Sequence, residues 1–294
     1  MKNLKKRIAL IAAATLSITV LLTACGGKAK PADPSAEDSK ESVTVDSEDT
    51  ADESFAKVEA EGKLKMGLDD SFPPMGFRDE NNEITGFDVD LATEVCARLD
   101  LELELVPIDW SMKENELTAG NIDCLWNGYS FTEERDATQT LSSPYMSNEQ
   151  VLVVMKDSGL TSLDDLADKK LAIQEGSTAE QALDKAEDFK ASLAQIVPFK
   201  ENVTGFMDVE GGSTDVILLD SIVANYYIAQ KDNSADFLIL DEALASEDYV
   251  IGFRKGDVAL KDKVENTLLE MKEDGKLAEI STKWFGEDIT VLGK

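Results

Sequence analysis

A strand that runs directly into a helix is encoded in one stretch of the sequence, Asp215-Val-Ile-Leu-Leu-Asp-Ser-Ile-Val-Ala-Asn-Tyr-Tyr-Ile-Ala-Gln230. The uninterrupted apolar run Val216 to Leu219 is typical of a strand buried on both faces. Asp220 ends that run, and Ser221 to Gln230 has the length of a helix. This stretch therefore predicts an α/β protein with Asp220 at the carboxyl edge of a sheet.

The same alternation continues on both sides of this stretch. Predicted strands are Leu64 to Leu68, Leu101 to Pro107, Ile122 to Trp126, Gln150 to Met155, Lys170 to Gln174 and Val250 to Arg254. Predicted helices are Asp88 to Leu99, Lys113 to Ala119, Ser162 to Leu166, Val258 to Asp274 and Leu277 to Trp284, and another begins at Thr178. Strands that alternate with helices predict parallel sheets with helices on both faces.

The amount of α/β sequence predicts two lobes. About 240 residues of such units are large for one doubly wound sheet, so we expect a cleft between two lobes at the carboxyl ends of their strands. The chain is expected to cross between the lobes twice, near residues 146–150 and 245–250. Lobe 1 then comprises residues 55–147 together with 248–294, and lobe 2 comprises residues 148–247.

Residues 1–24 have the features of a secretory signal peptide. Four positive charges lie in residues 1–7, and Ile8 to Leu22 is almost wholly apolar. The following Leu22-Thr23-Ala24-Cys25 resembles the lipobox of bacterial lipoproteins. That resemblance implies that Cys25 carries a diacylglycerol, with palmitate-type acyl chains, and becomes the new N-terminus. The alternative is an ordinary signal peptide with a chance cysteine.

The composition after Cys25 predicts a flexible linker over residues 25–54. This stretch is acidic and has almost no large apolar side chains, so it cannot bury enough surface to offset its ordering entropy. The whole chain has a formal net charge of -30. Such a charge repels phosphate groups and argues against nucleic-acid binding.

The residue inventory also excludes several kinds of site. The sequence has no His, which rules out His-based catalytic triads and His metal sites, and we expect no metal and no cofactor. Asp88 and Asp90 are interpreted as helix-start carboxylates favoured by the helix dipole rather than as a catalytic or metal-binding pair. Cys96 falls in a predicted helix and Cys124 in a predicted buried strand. Two buried free thiols are expected, although an exported protein could pair them.

Eight short motifs occur in order between about residues 55 and 286. They are Gly67-Leu-Asp-Asp-Ser-Phe-Pro-Pro-Met-Gly-Phe77, Gly86-Phe-Asp-Val-Asp-Leu91, Gly120-Asn-Ile-Asp123, Thr132-Glu-Glu-Arg135, Ser143-Pro-Tyr145, Gln174-Glu-Gly-Ser-Thr178, Asp215-Val-Ile-Leu-Leu-Asp220 and Lys283-Trp-Phe-Gly286. With them the sequence resembles the polar amino-acid-binding proteins of ABC importers, solute-binding protein family 3. The resemblance implies a two-lobed, periplasmic-binding-protein-like type II fold joined by a two-strand hinge.

Arg135 is the predicted partner of the ligand's α-carboxylate. Each buried charge of a free amino acid needs a partner, and a planar guanidinium can hold two carboxylate oxygens at once. The resemblance assigns Arg135 the same role and adds backbone N–H groups of Ser130 and Thr178. Thr178 would lie at a helix N-terminus, where the dipole favours anions. The alternative for Arg135 is a surface ion pair with Glu133 or Glu134.

Asp220 is the predicted partner of the α-ammonium, because it ends a strand at the cleft. The alternative is an N-cap for the helix that starts at Ser221, and both roles could hold. The resemblance adds the carbonyl of Gly128 and the hydroxyl of Ser130 to this ammonium site.

The resemblance also indicates which residues contact the ligand's side chain. Phe72 and Trp110 match positions whose rings enclose the ligand stem, and Asp69 matches a position that reads its polar end. Gln174 lines the second lobe, and Asn127 replaces the small residue that often precedes Gly128. Ordinary core packing is the alternative for the two rings, and turn capping is the alternative for Asp69.

We therefore expect a monomeric, exported solute-binding protein, lipid-anchored to the outer face of the bacterial cell membrane. It would close on a free polar amino acid and deliver it to a membrane permease. Basic or glutamine-like ligands are favoured, and cystine is not excluded. We expect no catalytic residues. The alternatives are an enzyme on the same fold, such as a cyclic-acid dehydratase or a peptidoglycan lyase, and a ligand-sensing domain.

Overall fold

The computed structural model describes residues 52–293. Its helices are α1 (Ser54–Glu61), α2 (Phe87–Arg98), α3 (Lys113–Ala119), α4 (Glu133–Thr138), α5 (Thr178–Lys185), α6 (Glu187–Ser192), α7 (Asn202–Glu210), α8 (Ser221–Ala229), α9 (Val258–Glu273) and α10 (Lys276–Phe285). The predicted signal peptide and Cys25 lie outside the described residues, as does most of the predicted linker.

The strands complete the α/β pattern. They are β1 (Lys63–Leu68), β2 (Ser71–Phe72), β3 (Gly76–Arg78), β4 (Ile84–Thr85), β5 (Glu102–Pro107), β6 (Cys124–Ser130), β7 (Gln139–Leu141), β8 (Met146–Met155), β9 (Lys170–Gln174), β10 (Gln195–Phe199), β11 (Val216–Asp220), β12 (Phe237–Ile239) and β13 (Ala245–Arg254). The predicted helix Ser162 to Leu166 is a short 3-10 turn, Leu163–Leu166.

One mixed sheet runs through the described part of the chain, in the order β10-β9-β11-β8-β13-β6-β1-β5, with β12 beside β8 and β7 beside β13. The strands β10, β9 and β11 are parallel to one another and form the lobe 2 half. The strands β6, β1 and β5 are likewise parallel and form the lobe 1 half. Parallel neighbours need a crossover connection, so the predicted βα alternation accounts for both halves.

The two halves are joined by β8 and β13, which we call the crossing strands. Residues 146–150 of β8 pair antiparallel with residues 245–249 of β13. Beyond this ladder β8 continues beside β11, and β13 continues beside β6. The ladder coincides with the two predicted crossing points. The prediction of parallel sheets is wrong for these strands, because each returns the chain to the other half without a helical crossover.

Several elements were not predicted from the sequence. A small antiparallel sheet, β2-β3-β4, carries Phe72 beside the end of β1. The helix α7 packs against β9 and β11. Folded structure begins at Ser54, within the range assigned to the linker: this residue is buried, and its Oγ accepts a hydrogen bond from the Leu260 N–H.

The core lies along both faces of the sheet, and its largest fully buried side chains include Trp126, Tyr129, Tyr145 and Tyr249. Cys96 and Cys124 are both buried and free, which confirms that expectation. Within residues 52–293, no helix has the length and apolar character needed to span a membrane.

Candidate functional site

Residues from both halves of the sheet line one small cavity. They are Phe72, Trp110, Gly128, Ser130, Arg135, Gln174, Ser177, Thr178 and Asp220, and all but Ser177 belong to the predicted ligand site. Its free volume of about 10 Å³ is no more than the roughly 10–15 Å³ that a cavity needs to hold one water molecule. The side chains of the two halves therefore meet, and a ligand needs the halves to separate before it can enter.

Arg135 is buried in the lobe 1 wall of the cavity, with 4% of its surface exposed. Thr132 caps the short helix α4, because its Oγ1 accepts a hydrogen bond from the Arg135 N–H at 3.1 Å. The guanidinium carbon lies 3.9 Å from the centre of the Tyr129 ring, and Nη1 donates to the Ser130 carbonyl at 2.6 Å. Ring and carbonyl thus fix the guanidinium plane before any ligand arrives.

The charge of Arg135 is only loosely compensated by the protein. Among residues 52–293 its one ion pair is with Glu114, whose Oε1 lies 3.6 Å from Nε, and the predicted alternatives Glu133 and Glu134 are not its partners. Nε is buried and makes no hydrogen bond with any described residue. A buried guanidinium with spare donors can bind a carboxylate in the cavity.

Thr178 lines the same cavity from the lobe 2 side. It is the first residue of α5, and the preceding Ser177 caps the helix by accepting a hydrogen bond from the Glu180 N–H. The N–H groups of the first helical turn have no partner within the helix, and this end of α5 lies at the cavity because Ser177 and Thr178 line it. The Thr178 hydroxyl lies 3.2 Å from the Ser130 hydroxyl across the cleft.

Asp220 is the last residue of β11 and is buried. Its Oδ1 accepts hydrogen bonds from Asn148 Nδ2 at 2.6 Å, Tyr249 OH at 2.7 Å and Gln150 Nε2 at 3.1 Å. It occupies the N-cap position of α8 but makes no capping hydrogen bond, so the capping alternative is not realised. Burial, and then the charge of Glu247, raise the pKa of the Asp220 carboxyl to about 7.

Asp69 and Gln174 meet across the cleft. Gln174 Nε2 donates to Asp69 Oδ2 at 2.7 Å. The other carboxylate oxygen, Oδ1, accepts from the N–H and the hydroxyl of Ser71, so Asp69 also caps its turn. Asp69 therefore reaches the cavity through Gln174 rather than lining it. Burial raises the pKa of the Asp69 carboxyl.

Both predicted aromatic residues line the cavity and also pack in the core. Phe72 lies against Gly128, where an added Cβ would come within 2.8 Å of Phe72 Cε1, and Gly128 has a φ of 56°. Trp110 packs edge-on against Tyr129, with ring centres 6.1 Å apart at 84°. The glycine lets the Phe72 ring close directly over the strand backbone.

Asn127 does not line the cavity, contrary to the sequence prediction. The register of β6 against β13 shifts between Leu125 and Tyr129, and this bulge turns Asn127 away. Its Oδ1 instead accepts a hydrogen bond from the Asp69 N–H at 3.0 Å. Trp126, in the same bulge, is fully buried in the core. Neither side chain can read a ligand directly.

Asp88 lies in the first turn of α2, as predicted, and it also supports this bulge. It is a fully buried carboxylate, and its Oδ2 accepts hydrogen bonds from the Gly128 N–H at 2.8 Å and Tyr145 OH at 3.0 Å. Burial raises its pKa to about 7. Its role is thus to hold the site's backbone, beyond favouring the start of α2. The Gly86-Phe-Asp motif was a signal for this residue.

Three polar side chains of the crossing strands were missed. Asn148 and Gln150 lie two residues apart on β8 and are buried, and Glu247 on β13 accepts hydrogen bonds from the cavity residues Ser130 and Thr178. Residues two apart on a strand share a face. The spacing of Asn148 and Gln150 could have revealed them, had the predicted strand begun at Met146.

Further contacts bridge the cleft outside the cavity. Lys113 Nζ donates to the Gly176 carbonyl at 2.8 Å, and Lys200 Nζ lies 2.6 Å from Asp109 Oδ2. Burial lowers the pKa of Lys113 to about 8. The described conformation is therefore one in which the two lobes touch along the cleft.

Comparison with known proteins places this geometry in a family context. The family model for bacterial extracellular solute-binding proteins, family 3, matches residues 64–287. The L-cystine-binding protein TcyJ of Escherichia coli (strain K12) is 30% identical over 236 residues, which cover 80% of this chain and 86% of that protein. The arginine-binding extracellular protein ArtP of Bacillus subtilis (strain 168) is 28% identical over 283 residues, 96% of this chain and 98% of that protein.

A solved structure has a similar fold. It is an ABC uptake transporter substrate-binding protein from Streptococcus pneumoniae with bound histidine, with a TM-score of 0.79 and 36% identity. The match covers 82% of this chain and 99% of that chain. The two relatives and this structure are all described as binding proteins, and none as an enzyme.

Proposed function

Because the chain belongs to the bacterial extracellular solute-binding proteins of family 3, we propose that it binds a free polar amino acid and delivers it to the permease of an ABC importer. One observation carries the proposal: Arg135 and Asp220, from opposite halves of the sheet, line the same small cavity. A guanidinium and a carboxylate that face one volume suit a ligand carrying a carboxylate and an ammonium at once.

The ligand would lie across the cleft with each charged group near its own partner. Its carboxylate would face Arg135 and the N-terminus of α5, and its ammonium would face Asp220. Since these groups belong to different lobes, a bound amino acid favours the closed arrangement by its contacts with both. Phe72 and Trp110 would enclose the stem of the ligand, and the Gly128 carbonyl and the Ser130 hydroxyl would complete the ammonium site.

The far end of the ligand would carry an N–H donor. Gln174 lines that end of the cavity, and the buried carboxylate of Asp69 behind it accepts a hydrogen bond from Gln174 Nε2 and rejects an acidic side chain. Basic and glutamine-like amino acids fit this requirement. Cystine fits it too, because its second half carries an ammonium, and relatives named for cystine and arginine support the same class.

The remaining parts of the proposal concern location and organisation. Leu22-Thr23-Ala24-Cys25 supports removal of a signal peptide and lipid anchoring at Cys25 on the outer face of the membrane. The residues after Cys25 would tether a monomeric two-lobed body, with lobe boundaries near 147 and 248. We propose binding without catalysis, and no observation favours the dehydratase, lyase or sensor alternatives.

The test is a thermal-shift screen against the twenty amino acids, cystine and ornithine, followed by calorimetry on Arg135→Ala. Removing the partner of a buried charge costs about 2–5 kcal/mol, so affinity should fall at least about 30-fold. Arg98→Ala is the control, because Arg98 pairs with Glu94 and Asp274 away from the cavity. Wild-type affinity in Arg135→Ala would contradict the assignment of this residue, and a screen without any hit would contradict the function.

A further inference from the structure

A carboxylate that the proposed function leaves unused lies behind the cavity lining: Glu247 is not a lining residue itself, but it bonds to the lining residues Ser130 and Thr178. Glu247 is half-buried and belongs to the part of β13 that pairs with β8. Its Oε2 accepts hydrogen bonds from Ser130 Oγ at 2.8 Å, Gln150 Nε2 at 3.0 Å and Thr178 Oγ1 at 3.2 Å. These donors come from β6, β8 and α5, so three elements hold the carboxylate against the cavity wall.

Glu247 and Asp220 are direct neighbours, because they share two amide donors. Asn148 Nδ2 lies 2.6 Å from Asp220 Oδ1 and 3.4 Å from Glu247 Oε2. Gln150 Nε2 lies 3.1 Å from the first oxygen and 3.0 Å from the second. We call this corner, formed by the two carboxylates and the Gln150 amide, the ammonium end of the cavity.

The ammonium end has more acceptors than donors. Gln150 has no exposed surface, and its Oε1 has no hydrogen-bond donor among the described residues. Neither carboxylate forms an ion pair with a Lys or Arg of residues 52–293, and Arg135, the cation in the cavity lining, has Glu114 as its pair. Burying two like charges together is unfavourable unless a proton or a cation joins them.

We infer that Glu247 is a second counter-charge for the ligand's α-ammonium, acting beside Asp220. The inference rests on the proposed amino-acid function and adds a specificity-determining residue to it. An ammonium has three N–H donors and no acceptor. That matches the two carboxylates and the unpaired Gln150 Oε1. A ligand that lacks the ammonium leaves both carboxylates facing each other, so this pair selects against it.

Glu247→Gln tests the charge without changing the size of the side chain. Asp248→Asn is the matched control: it removes the neighbouring carboxylate on the same strand, which bonds to the Ser147 hydroxyl outside the cavity. The probes are L-arginine, L-glutamine and L-cystine, each paired with its des-amino analogue. Affinities are measured by calorimetry, and by competition at millimolar concentration for weak analogues.

In Glu247→Gln, the amino acid that the wild type binds should bind roughly 10- to 100-fold more weakly, as expected for losing a charged hydrogen-bond partner. Its des-amino analogue should bind as before or more tightly, so the preference for the ammonium shrinks by the same factor. Asp248→Asn should keep the wild-type preference.

Three outcomes would overturn the inference. An equal loss for both members of a pair would mean that Glu247 only stabilises the crossing strands. An unchanged affinity would mean that Glu247 does not contact the ligand, and a tighter amino-acid complex would mean that its charge opposes binding. The proposed function has a separate readout: if the thermal-shift screen of the wild type finds no amino acid that binds, that function is wrong and the inference falls with it.

Discussion

Amino-acid binding by this protein should depend on pH between about 6 and 8, because Asp220 must be ionised to hold an ammonium. Burial and the neighbouring Glu247 raise the pKa of Asp220 to about 7. In the ligand-free protein the Asp220 carboxyl is therefore partly protonated near neutral pH, and its proton must leave before it can pair with an ammonium. Affinity should therefore rise with pH through this range, with a limit of about tenfold per pH unit, or about 1.4 kcal/mol, for the release of one proton.

Calorimetry in two buffers with different heats of ionisation measures both the affinity and the proton released. More protons should leave on binding near pH 6 than near pH 8, because the carboxyl is more often protonated at the lower pH. Asp220→Asn is the control, since Asp88 and Lys113, with pKa values of about 7 and about 8, titrate in both proteins. A wild-type affinity that does not change with pH, or an Asn variant with the wild-type slope, would refute the reasoning.

Two further predictions concern stability. Gly128→Ala should lower the free energy of unfolding by about 1–3 kcal/mol and weaken ligand binding, because a residue with φ of 56° would place its Cβ 2.8 Å from Phe72. The control Gly212→Ala has a φ of 72° and open space around the new Cβ, so it should show only the backbone strain. Equal losses of stability in thermal melts of the two variants would contradict the steric argument. The ligand-free protein should lose stability as pH rises from about 4 to about 7. Asp88 and Asp220 have raised pKa values, so in that window the folded state binds more protons than the unfolded state. Chemical denaturation at stepped pH measures the free energy of unfolding, and an increase with pH would contradict the prediction.

The two parallel halves of the sheet were predictable because their elements have clear sequence boundaries. The helix α3 and the strand β9 fall on the predicted residues, and α3 ends at Gly120, whose φ of 77° suits a left-handed C-cap. The first halves of the crossing strands were not predictable in this way. Residues 146–149 and 245–248 are mostly polar, so they lack the apolar run of a buried strand. Asn148 is buried and Glu247 half-buried beside the ligand-binding groups, whereas the other polar side chains of these two stretches are exposed.

The candidate site, like the fold, could be predicted only in part. Arg135 and Asp220 could be identified because only a few residue types can neutralise a buried carboxylate or ammonium. The orientation of Asn127 could not, since the bulge in β6 depends on pairing with β13, a strand more than a hundred residues later. Glu247 was hidden for the same reason: its neighbours Ser130, Gln150 and Thr178 come from three separate parts of the chain.

The contacts of Arg135 and Asp220 affect the free-energy cost of closing the cleft. Arg135 is oriented by Ser130 and Tyr129, which belong to the same lobe. Asp220 is oriented by Asn148, Gln150 and Tyr249 on the crossing strands, and Gln150 is its direct partner in the ladder between β11 and β8. Opening the cleft would separate the two residues while leaving these supports in place. Arg135 and Asp220 are thus each held in position before the ligand arrives. Closure brings these two oriented groups together, which limits the entropy cost of ordering them on binding.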